Sequence, residues 1–304
     1  MVEVMITLFA IAVVGYAAGK MNYMGGEFDR KLSSLVINWT CPALILSSAM
    51  TGELPDRRYI LPLLAISAFT YVVLTVAAWG LSRMMTKRVE HRGIVSFALV
   101  FGNVGFMGYP VVDALFGHQA VFYAAVLNVV NTFAVFTIGT MMITGGDGPN
   151  QKRFNKKVLY STPMLSAYLS MLIVALGIDN IPGYISQPLT MIGNITVPAA
   201  LLIIGSSMSQ LPLRAFLGTP LIYGTTLLRL CLLPIGVHFL CLALGFEHYV
   251  TYINTVVIAM PVATYGTILC LKYNKDTTLI AELTFISTLL SILTIPVVAV
   301  LLGK

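Results

Sequence analysis

Apolar runs long enough to cross a membrane recur along the whole chain, with short polar segments between them. A membrane-spanning helix needs about 20 apolar residues, so each run predicts one span. We number the ten predicted spans 1 to 10 from the N-terminus. They lie at about 3–20, 31–51, 59–85, 92–116, 119–144, 158–178, 186–210, 215–244, 249–272 and 277–302. The predicted fold class is therefore an all-α polytopic membrane protein with ten transmembrane helices.

Composition supports a membrane protein and excludes several other classes. Of 304 residues, 58% are hydrophobic and 10% are charged, against about 25% charged in soluble domains. The four cysteines, at positions 41, 231, 241 and 270, lie inside apolar runs without a CxxC pair or a histidine at ligand spacing, so we expect neither a disulfide nor a metal site. The sequence has no ATP-binding P-loop and no catalytic set. We therefore expect no cofactor, no enzymatic activity and no nucleic-acid partner, and lipid as the surroundings.

Basic residues alternate between the two sides of the predicted spans. Fourteen of the eighteen lie in loops after odd-numbered spans. These are Lys20, Arg30, Lys31, Arg83, Lys87, Arg88, Arg92, Lys152, Arg153, Lys156, Lys157, Arg214, Lys272 and Lys275. Because cytoplasmic loops carry the excess of lysine and arginine, the pattern places both termini outside the cytoplasm. The first apolar run has no basic segment before it and is interpreted as a retained helix.

Two motifs occur once in each half of the chain. N-x-T-x-P-A stands at 38–43 in span 2 and at 194–199 in span 7, and an asparagine precedes a proline by seven residues in both span 4 and span 9. The pattern predicts two five-span repeats, 1–144 and 158–304, joined by a cytoplasmic linker at 145–157. An odd number of spans inverts the second repeat, an arrangement that transporters use to expose one midplane site to each side in turn.

Pro110 in span 4 and Pro261 in span 9 mark predicted breaks. A proline removes a helical hydrogen bond, and lipid tolerates freed backbone groups only where protein or a water-filled cavity satisfies them. With the small residues Gly105 and Gly108, these prolines predict broken crossover helices 4 and 9. Half-helix N-termini could then offer N–H groups to an anion. The alternative is a plain proline kink.

Four asparagines are candidate substrate ligands. Asn103 and Asn254 are uncharged and can both donate and accept hydrogen bonds, which suits a carboxylate that must bind and leave. Asn38 and Asn194 precede the prolines of spans 2 and 7 and could line the cavity. Each of the four could instead hydrogen-bond neighbouring helices.

Three charged residues inside spans are candidates for coupling or gating, because a charge in the bilayer is costly. Asp113 could carry a proton or lie near the outer mouth of the pathway. Arg229 could pair with an acidic residue or attract an anion. Glu282 could instead reach the membrane interface with its side chain.

The segment GNVGFMGYPVVDALFG at 102–117 is similar to the fourth-span signature of the auxin efflux carrier family, which includes plant PIN carriers and bacterial malate and malonate carriers. Segments 37–52, 195–214 and 259–276 resemble its other core segments, so the resemblance covers nearly the whole chain. It implies a fold like that of bile acid carriers and sodium/proton antiporters. It also implies a scaffold of helices 1, 2, 6 and 7, a transport domain of helices 3–5 and 8–10, and homodimers.

The same resemblance assigns substrate contact to Asn103 and the crossover to Pro110 and Pro261. The 13-residue linker departs from the long hydrophilic loop of many plant members. This difference favours a bacterial carrier in the cytoplasmic membrane.

The leading functional hypothesis is secondary transport of a small organic anion, such as malate, malonate or an auxin-like acid, by an elevator mechanism. The first alternative is a proton- or sodium-coupled cation antiporter, which would place acidic residues at the crossover, where only Asp113 lies nearby. The second alternative is a non-transporting membrane receptor or scaffold, although the sequence contains no soluble signalling domain.

Overall fold

A computed structural model describes most of the chain as helix. The described residues are 2–50, 54–145, 160–178, 181–210, 218–273, 275 and 277–302. Within these ranges the only β-structure is one isolated antiparallel bridge between Gly102 and Val262, so the all-α class is confirmed. Residues 146–157 of the predicted linker and Arg214 lie outside the described ranges.

The described ranges contain sixteen α-helical segments, several of which follow one another within a single predicted span. They are α1 (Val2–Lys20), α2 (Gly26–Leu35), α3 (Cys41–Ser48), α4 (Ile60–Met85), α5 (Val89–Val100), α6 (Tyr109–Phe116), α7 (Ala120–Ala134), α8 (Thr140–Thr144), α9 (Thr162–Leu176), α10 (Gly183–Gly193), α11 (Thr196–Ser209), α12 (Pro220–Leu227), α13 (Leu233–Ala243), α14 (His248–Ile258), α15 (Tyr265–Lys272) and α16 (Thr278–Leu302).

Five continuous helical stretches in the described ranges are long and apolar enough to cross a bilayer. They are Arg57–Met85, Ala120–Thr144, Gly183–Ser209, Pro220–Ala243 and Thr278–Leu302. Shorter apolar helices include Ala10–Lys20, Val104–Phe116 and Thr162–Leu176. The protein is therefore a polytopic membrane protein. The count of ten spans and their inverted arrangement stay predictions.

Widened π-helical turns interrupt the regular helices at several points. Four occur in the described ranges, at Val36–Thr40, Val104–Gly108, Val135–Gly139 and Leu228–Leu232. The first, second and fourth end two residues before Pro42, Pro110 and Pro234, respectively. A proline ring clashes with the carbonyl four residues back, and a local π-helical adjustment is one way to relieve it within a span. These prolines therefore lie in helices that continue past them.

The chain forms two compact units, and each unit draws segments from both halves of the sequence. Unit 1 comprises Met1–Leu63, Gly105–Val129 and Leu159–Pro212, and unit 2 comprises Leu64–Val104, Val130–Val158 and Leu213–Lys304. The two predicted repeats and the predicted division into scaffold and transport helices stay predictions.

In unit 1, α1 packs along α11 through close backbone contact. A Cβ at Gly205 would overlap the carbonyl oxygen of Ala12, so only glycine allows this approach. Elsewhere in the unit, Thr196 Oγ1 donates to Thr40 Oγ1 at 2.9 Å. These threonines occupy the same place in the two N-x-T-x-P-A motifs, and contact between equivalent positions is what a local two-fold axis produces.

In unit 2, α5 lies at the centre of the packing. Its residues from Ile94 to Val100 are all buried. A Cβ at Gly139 or at Gly266 would crowd the ring of Phe97, so both glycines make room for this aromatic side chain. The C-terminal end of α5 is thus held firmly where the chain leaves the helix.

Candidate functional site

Two helices of unit 2 are interrupted, and the interruptions lie side by side. α5 ends at Val100, and helical structure resumes at Val104; α14 ends at Ile258, and α15 begins at Tyr265. Residues 101–103 and 261–263 run antiparallel to each other, and we refer to them as the paired segments. Backbone groups released from a helix must find other partners within a membrane. Here each interruption supplies partners for the other.

Two main-chain hydrogen bonds join the paired segments. The N–H of Asn103 donates to the carbonyl of Pro261 at 2.8 Å, and the N–H of Ala263 donates to the carbonyl of Phe101 at 3.0 Å. The N–H of Val262 donates to Ser287 Oγ of α16 at 3.0 Å. Pro261 has no N–H to satisfy, and therefore suits a position where the chain leaves a helix.

Arg229 donates hydrogen bonds to main-chain carbonyls at both interruptions. Its Nη1 donates to the carbonyls of Leu99 and Val100, each at 3.0 Å, and its Nε donates to the carbonyl of Met260 at 3.1 Å. The last carbonyls of a helix have no partner within that helix, and they carry partial negative charge. Arg229, which is 1% exposed, therefore satisfies the last carbonyls of α5 and a carbonyl of the segment that follows α14.

Within the described residues, no acidic side chain neutralises the charge of Arg229. No salt bridge in the described residues includes it, and its three hydrogen bonds all go to main-chain oxygens. A Cβ at Gly102 would overlap Arg229 Nη2, which places this nitrogen directly against the paired segments. Of the two roles predicted for Arg229, pairing with an acid is not seen in the described residues.

Asn103 and Asn254 have different surroundings, although both begin the same motif. Asn103 is half-buried, and its side-chain amide makes no hydrogen bond to the described residues. Asn254 is 1% exposed, and its Nδ2 donates to Thr70 Oγ1 at 2.9 Å. The amide of Asn103 is thus available to a ligand at the paired segments, whereas that of Asn254 joins α14 to α4.

The prolines and glycines predicted at the crossover lie in different structural settings. Pro261 lies in a paired segment, but Pro110 is the second residue of α6, and Gly105 and Gly108 lie in the π-helical turn before it. The interruption of span 4 therefore comes seven residues before its proline. A Cβ at Gly105 would meet no atom within 4 Å, so packing does not require glycine at this position.

The remaining candidates lie away from the paired segments in the chain. Asn38 is exposed, and its Nδ2 donates to the carbonyl of Ser34 at 2.8 Å. Glu282 is half-buried in α16, and no ion pair in the described residues includes it. Asn194 is exposed at the end of α10 and lines a cavity with Asp113.

That cavity lies within unit 1 and has a volume of about 630 Å³. Its lining residues are Asp113, Phe116, Gly117, His118, Gln119, Thr190 and Asn194. Asp113 Oδ1 lies 3.3 Å from His118 Nδ1. Sequence reasoning missed His118; the signal was a histidine five residues after the aspartate, at the end of the same predicted span.

The sequence of the chain matches the profile of a known protein family. A profile described as "Membrane transport protein" matches residues 1–299. The chain belongs to this membrane transport protein family. It is the family of the auxin efflux carriers, so the resemblance found in the sequence is confirmed. Membrane transport is therefore the activity class of the protein, and the membrane is its location.

Relatives in this family align along nearly their whole length. A protein of Methanothermobacter thermautotrophicus named "Uncharacterized transporter" is 23% identical over 99% of this chain and 98% of its own length. A protein of Rhizobium meliloti named "Putative malonate transporter" is 22% identical over 94% of this chain and 91% of its own length. Both relatives are named as transporters rather than enzymes.

Proposed function

We propose that the protein is a secondary transporter of small organic anions, which bind at the paired segments of unit 2. The observation that carries this proposal is the buried guanidinium of Arg229, which lies against both interruptions and has no carboxylate partner in the part of the chain that the structure describes. A charge inside a membrane is costly unless another charge or strong dipoles compensate it. A bound carboxylate would supply the opposite charge that the described residues lack.

The neighbouring groups support an anion over a cation. Arg229 presents hydrogen-bond donors in a planar fork that matches a carboxylate, and Asn103 adds an amide that is not used within the described residues. A cation site would need acidic oxygens at the same place. The cation antiporter is therefore the weaker candidate.

The substrate class follows from the same reasoning. One guanidinium can compensate one carboxylate, and the amide of Asn103 can bind a second polar group. The relative from Rhizobium meliloti carries malonate in its name, which makes this dicarboxylate the first substrate to test. Malate and an auxin-like aromatic acid are the next.

The wider transport scheme is part of the same proposal. It includes an elevator movement with alternating access, homodimers, a bacterial cytoplasmic membrane and termini outside the cytoplasm. The family membership and the antiparallel direction of the paired segments support it, because antiparallel segments are what inverted repeats would bring to a crossing.

Uptake and counterflow of labelled malonate, malate and indole-3-acetate in proteoliposomes test the proposal. We expect saturable counterflow of at least one acid, loss of it in Arg229→Met, and partial retention in Arg229→Lys, which keeps the charge but not the fork. Arg83→Met is the matched control, because Arg83 stacks on Trp79 at the end of α4, 3.7 Å from the ring centroid. Counterflow that is equal in Arg229→Met and wild type would contradict the proposed site.

A further inference from the structure

Both ring nitrogens of His118 are engaged, although the residue lies at the wall of an open cavity. Nδ1 lies 3.3 Å from Asp113 Oδ1, and Nε2 lies 2.9 Å from Ser47 Oγ. The side chains of His118 and Asp113 are 26% and 25% exposed, while Ser47 is fully buried. The imidazole thus bridges a partly solvated carboxylate and a buried hydroxyl.

Counting protons shows which form of the ring suits this arrangement. The hydroxyl of Ser47 has one hydrogen, and its oxygen lies 3.1 Å from the carbonyl of Leu44 in donating geometry. When that hydrogen points at Leu44, Ser47 Oγ accepts from a protonated Nε2. The Asp113 carboxylate can only accept from Nδ1. Two acceptors around the ring are satisfied together by an imidazolium that donates from both nitrogens.

A neutral ring cannot make both bonds in this form. If Nε2 loses its hydrogen, the hydroxyl of Ser47 must turn from Leu44 toward the imidazole. If Nδ1 loses it, Asp113 loses its donor. Gain or loss of one proton at His118 therefore rearranges the contacts between α3 and the end of α6.

His118 and Asp113 are the ionisable residues in the cavity lining, and the ionisable residue of α3, Cys41, is buried with its Sγ 3.9 Å from the carbonyl of Gly105. The cavity residues from α10, Thr190 and Asn194, are uncharged, and α11, which packs on α6, has no ionisable residue. On the adjoining segments, the N–H of Asp56 donates to Tyr123 Oη at 2.9 Å.

Asp56 itself is held in its charged form. Hydrogen bonds from the side chain and main chain of Arg58 lower the pKa of its carboxyl group. This carboxylate therefore stays ionised near neutral pH and does not compete with His118 for a proton.

Resting on the proposed transport function, we infer that His118, held between Asp113 and Ser47, is a proton-binding site that takes its proton from the cavity of unit 1 and couples it to anion transport. Histidine is the side chain that ordinarily changes charge between about pH 5 and 8. One proton enters, one N–H bond forms and the ring becomes imidazolium; the hydrogen bonds to Ser47 and Asp113 adjust, and no other covalent bond is made or broken.

The position of the site along the chain supports coupling. Asp113 lies on α6, which follows the π-helical turn Val104–Gly108 without a break, and that turn begins directly after Asn103. The helical stretch from Val104 to Phe116 thus connects the proton site to the paired segments directly along the chain. This is a positioning effect, since His118 does not contact the proposed anion site.

The first test measures the protonation state of His118 without a transport assay. Nitrogen-15 NMR of histidine-labelled protein in detergent, with the His118→Gln variant identifying the His118 signals, should show both nitrogens protonated at about pH 5 and one released as the pH rises to about 8. A ring that keeps a single proton across this range would overturn the proton site, whether or not the protein transports malonate.

The second test measures whether proton entry is coupled to anion uptake. Proteoliposomes with a trapped pH dye should show proton entry together with malonate uptake, and uptake by wild type should be faster at about pH 5 than at about pH 8. We expect this pH profile to flatten in His118→Gln and in Asp113→Asn. His91→Gln is the matched control, because His91 is half-buried at the start of α5 and has no part in either site.

The outcomes separate the two proposals. Absence of malonate, malate and indole-3-acetate transport by wild type would refute the proposed function, while the NMR result still decides the proton site. Transport without proton entry, or an unchanged pH profile in His118→Gln, would overturn the coupling alone.

Discussion

Spans 4 and 9 carry the same spacing of asparagine and proline, but their helices are interrupted at opposite ends of that motif. In span 4 the interruption is at Asn103, and Pro110 lies in a helix; in span 9 it is at Pro261, and Asn254 lies in a helix. The spacing therefore does not by itself determine where the chain leaves the helix. What both interruptions share is a partner, because each satisfies main-chain groups of the other.

The two interruptions are also supported differently. Arg229 satisfies the last carbonyls of α5 at 3.0 Å, whereas Ser287 accepts the N–H of Val262 in span 9. Pro110 needs no break, since the π-helical turn before it removes the clash. Arg229 and main-chain pairing thus serve both interruptions, and the second also has a proline and a serine hydroxyl.

The largest effect is expected from Gly102→Ala. The added Cβ would overlap Arg229 Nη2 and lie 3.1 Å from the carbonyl oxygen of Met260. Overpacking of this kind costs roughly 1–3 kcal/mol, and we expect uptake to fall by about 100-fold, since a misplaced site costs this much in rate. Initial uptake rates and thermal unfolding in detergent measure both effects.

Gly236→Ala is the control for this change. Gly236 lies in α13 of the same unit, where a Cβ would meet no atom within 4 Å, and alanine is favoured over glycine in a helix by roughly 0.5–1 kcal/mol. If the two variants behave alike, close packing at Gly102 does not matter for transport.

Replacing each proline with alanine tests whether the two spans are interrupted for different reasons. Pro261→Ala restores an N–H and allows α14 to lengthen, so we expect uptake to fall by about tenfold. Pro110→Ala changes a helix that already continues past the proline, so we expect a change of about threefold or less. Uptake rates of the purified variants, normalised to protein, provide the measurement. A larger loss in Pro110→Ala would reverse the interpretation.

Replacing Asn103 and Asn254 one at a time should separate an effect on substrate binding from an effect on stability. Asn103→Ala removes an amide that makes no hydrogen bond within the described residues, so we expect about a tenfold rise in KM, the cost of one lost hydrogen bond to a charged ligand, with little change in Tm. Asn254→Ala loses its bond to Thr70, so we expect roughly 0.6 kcal/mol less stability and a nearly unchanged KM. The same change of KM in both variants would show that the difference in their surroundings has no functional meaning.

The smallest effect on uptake is expected from Ser287→Ala, which should lower stability instead. It leaves the buried N–H of Val262 without its acceptor, which costs roughly 1–3 kcal/mol, while Arg229 and the paired segments stay in place. Thermal unfolding is the measurement. Ser291→Ala, one turn later in α16, is the control, because the Ser291 hydroxyl donates within its own helix to Thr288. Equal losses would show that Val262 finds another acceptor.

Features set by local sequence could be predicted, whereas those set by distant contacts could not. Apolar runs predicted a helical membrane protein, and the segment at 102–117 indicated its family, because both signals lie within continuous stretches. Arg229 was predicted to matter only because it is a charge inside a span. Its actual partners, Leu99 and Val100, lie about 130 residues earlier in the chain, and no periodic pattern encodes such a contact.

His118 was missed for the same reason. Its bond to Ser47 spans 71 residues, and its position five residues after Asp113 was the signal that the sequence offered. The place of the interruption in span 4 was not predictable either, since it depends on pairing with residues 261–263. Local sequence motifs therefore identified which spans are interrupted, and tertiary contacts determine at which residues the helices end.

The contact between Thr40 and Thr196 bears on how such a chain could arise. If its two halves descend from one duplicated five-helix sequence, a position near the axis between them would at first have faced a copy of itself. A lysine or an aspartate would have met a like charge, whereas a hydroxyl can donate to an identical hydroxyl and accept from it. Threonine is thus a residue that both halves could have kept unchanged from the first generation after duplication.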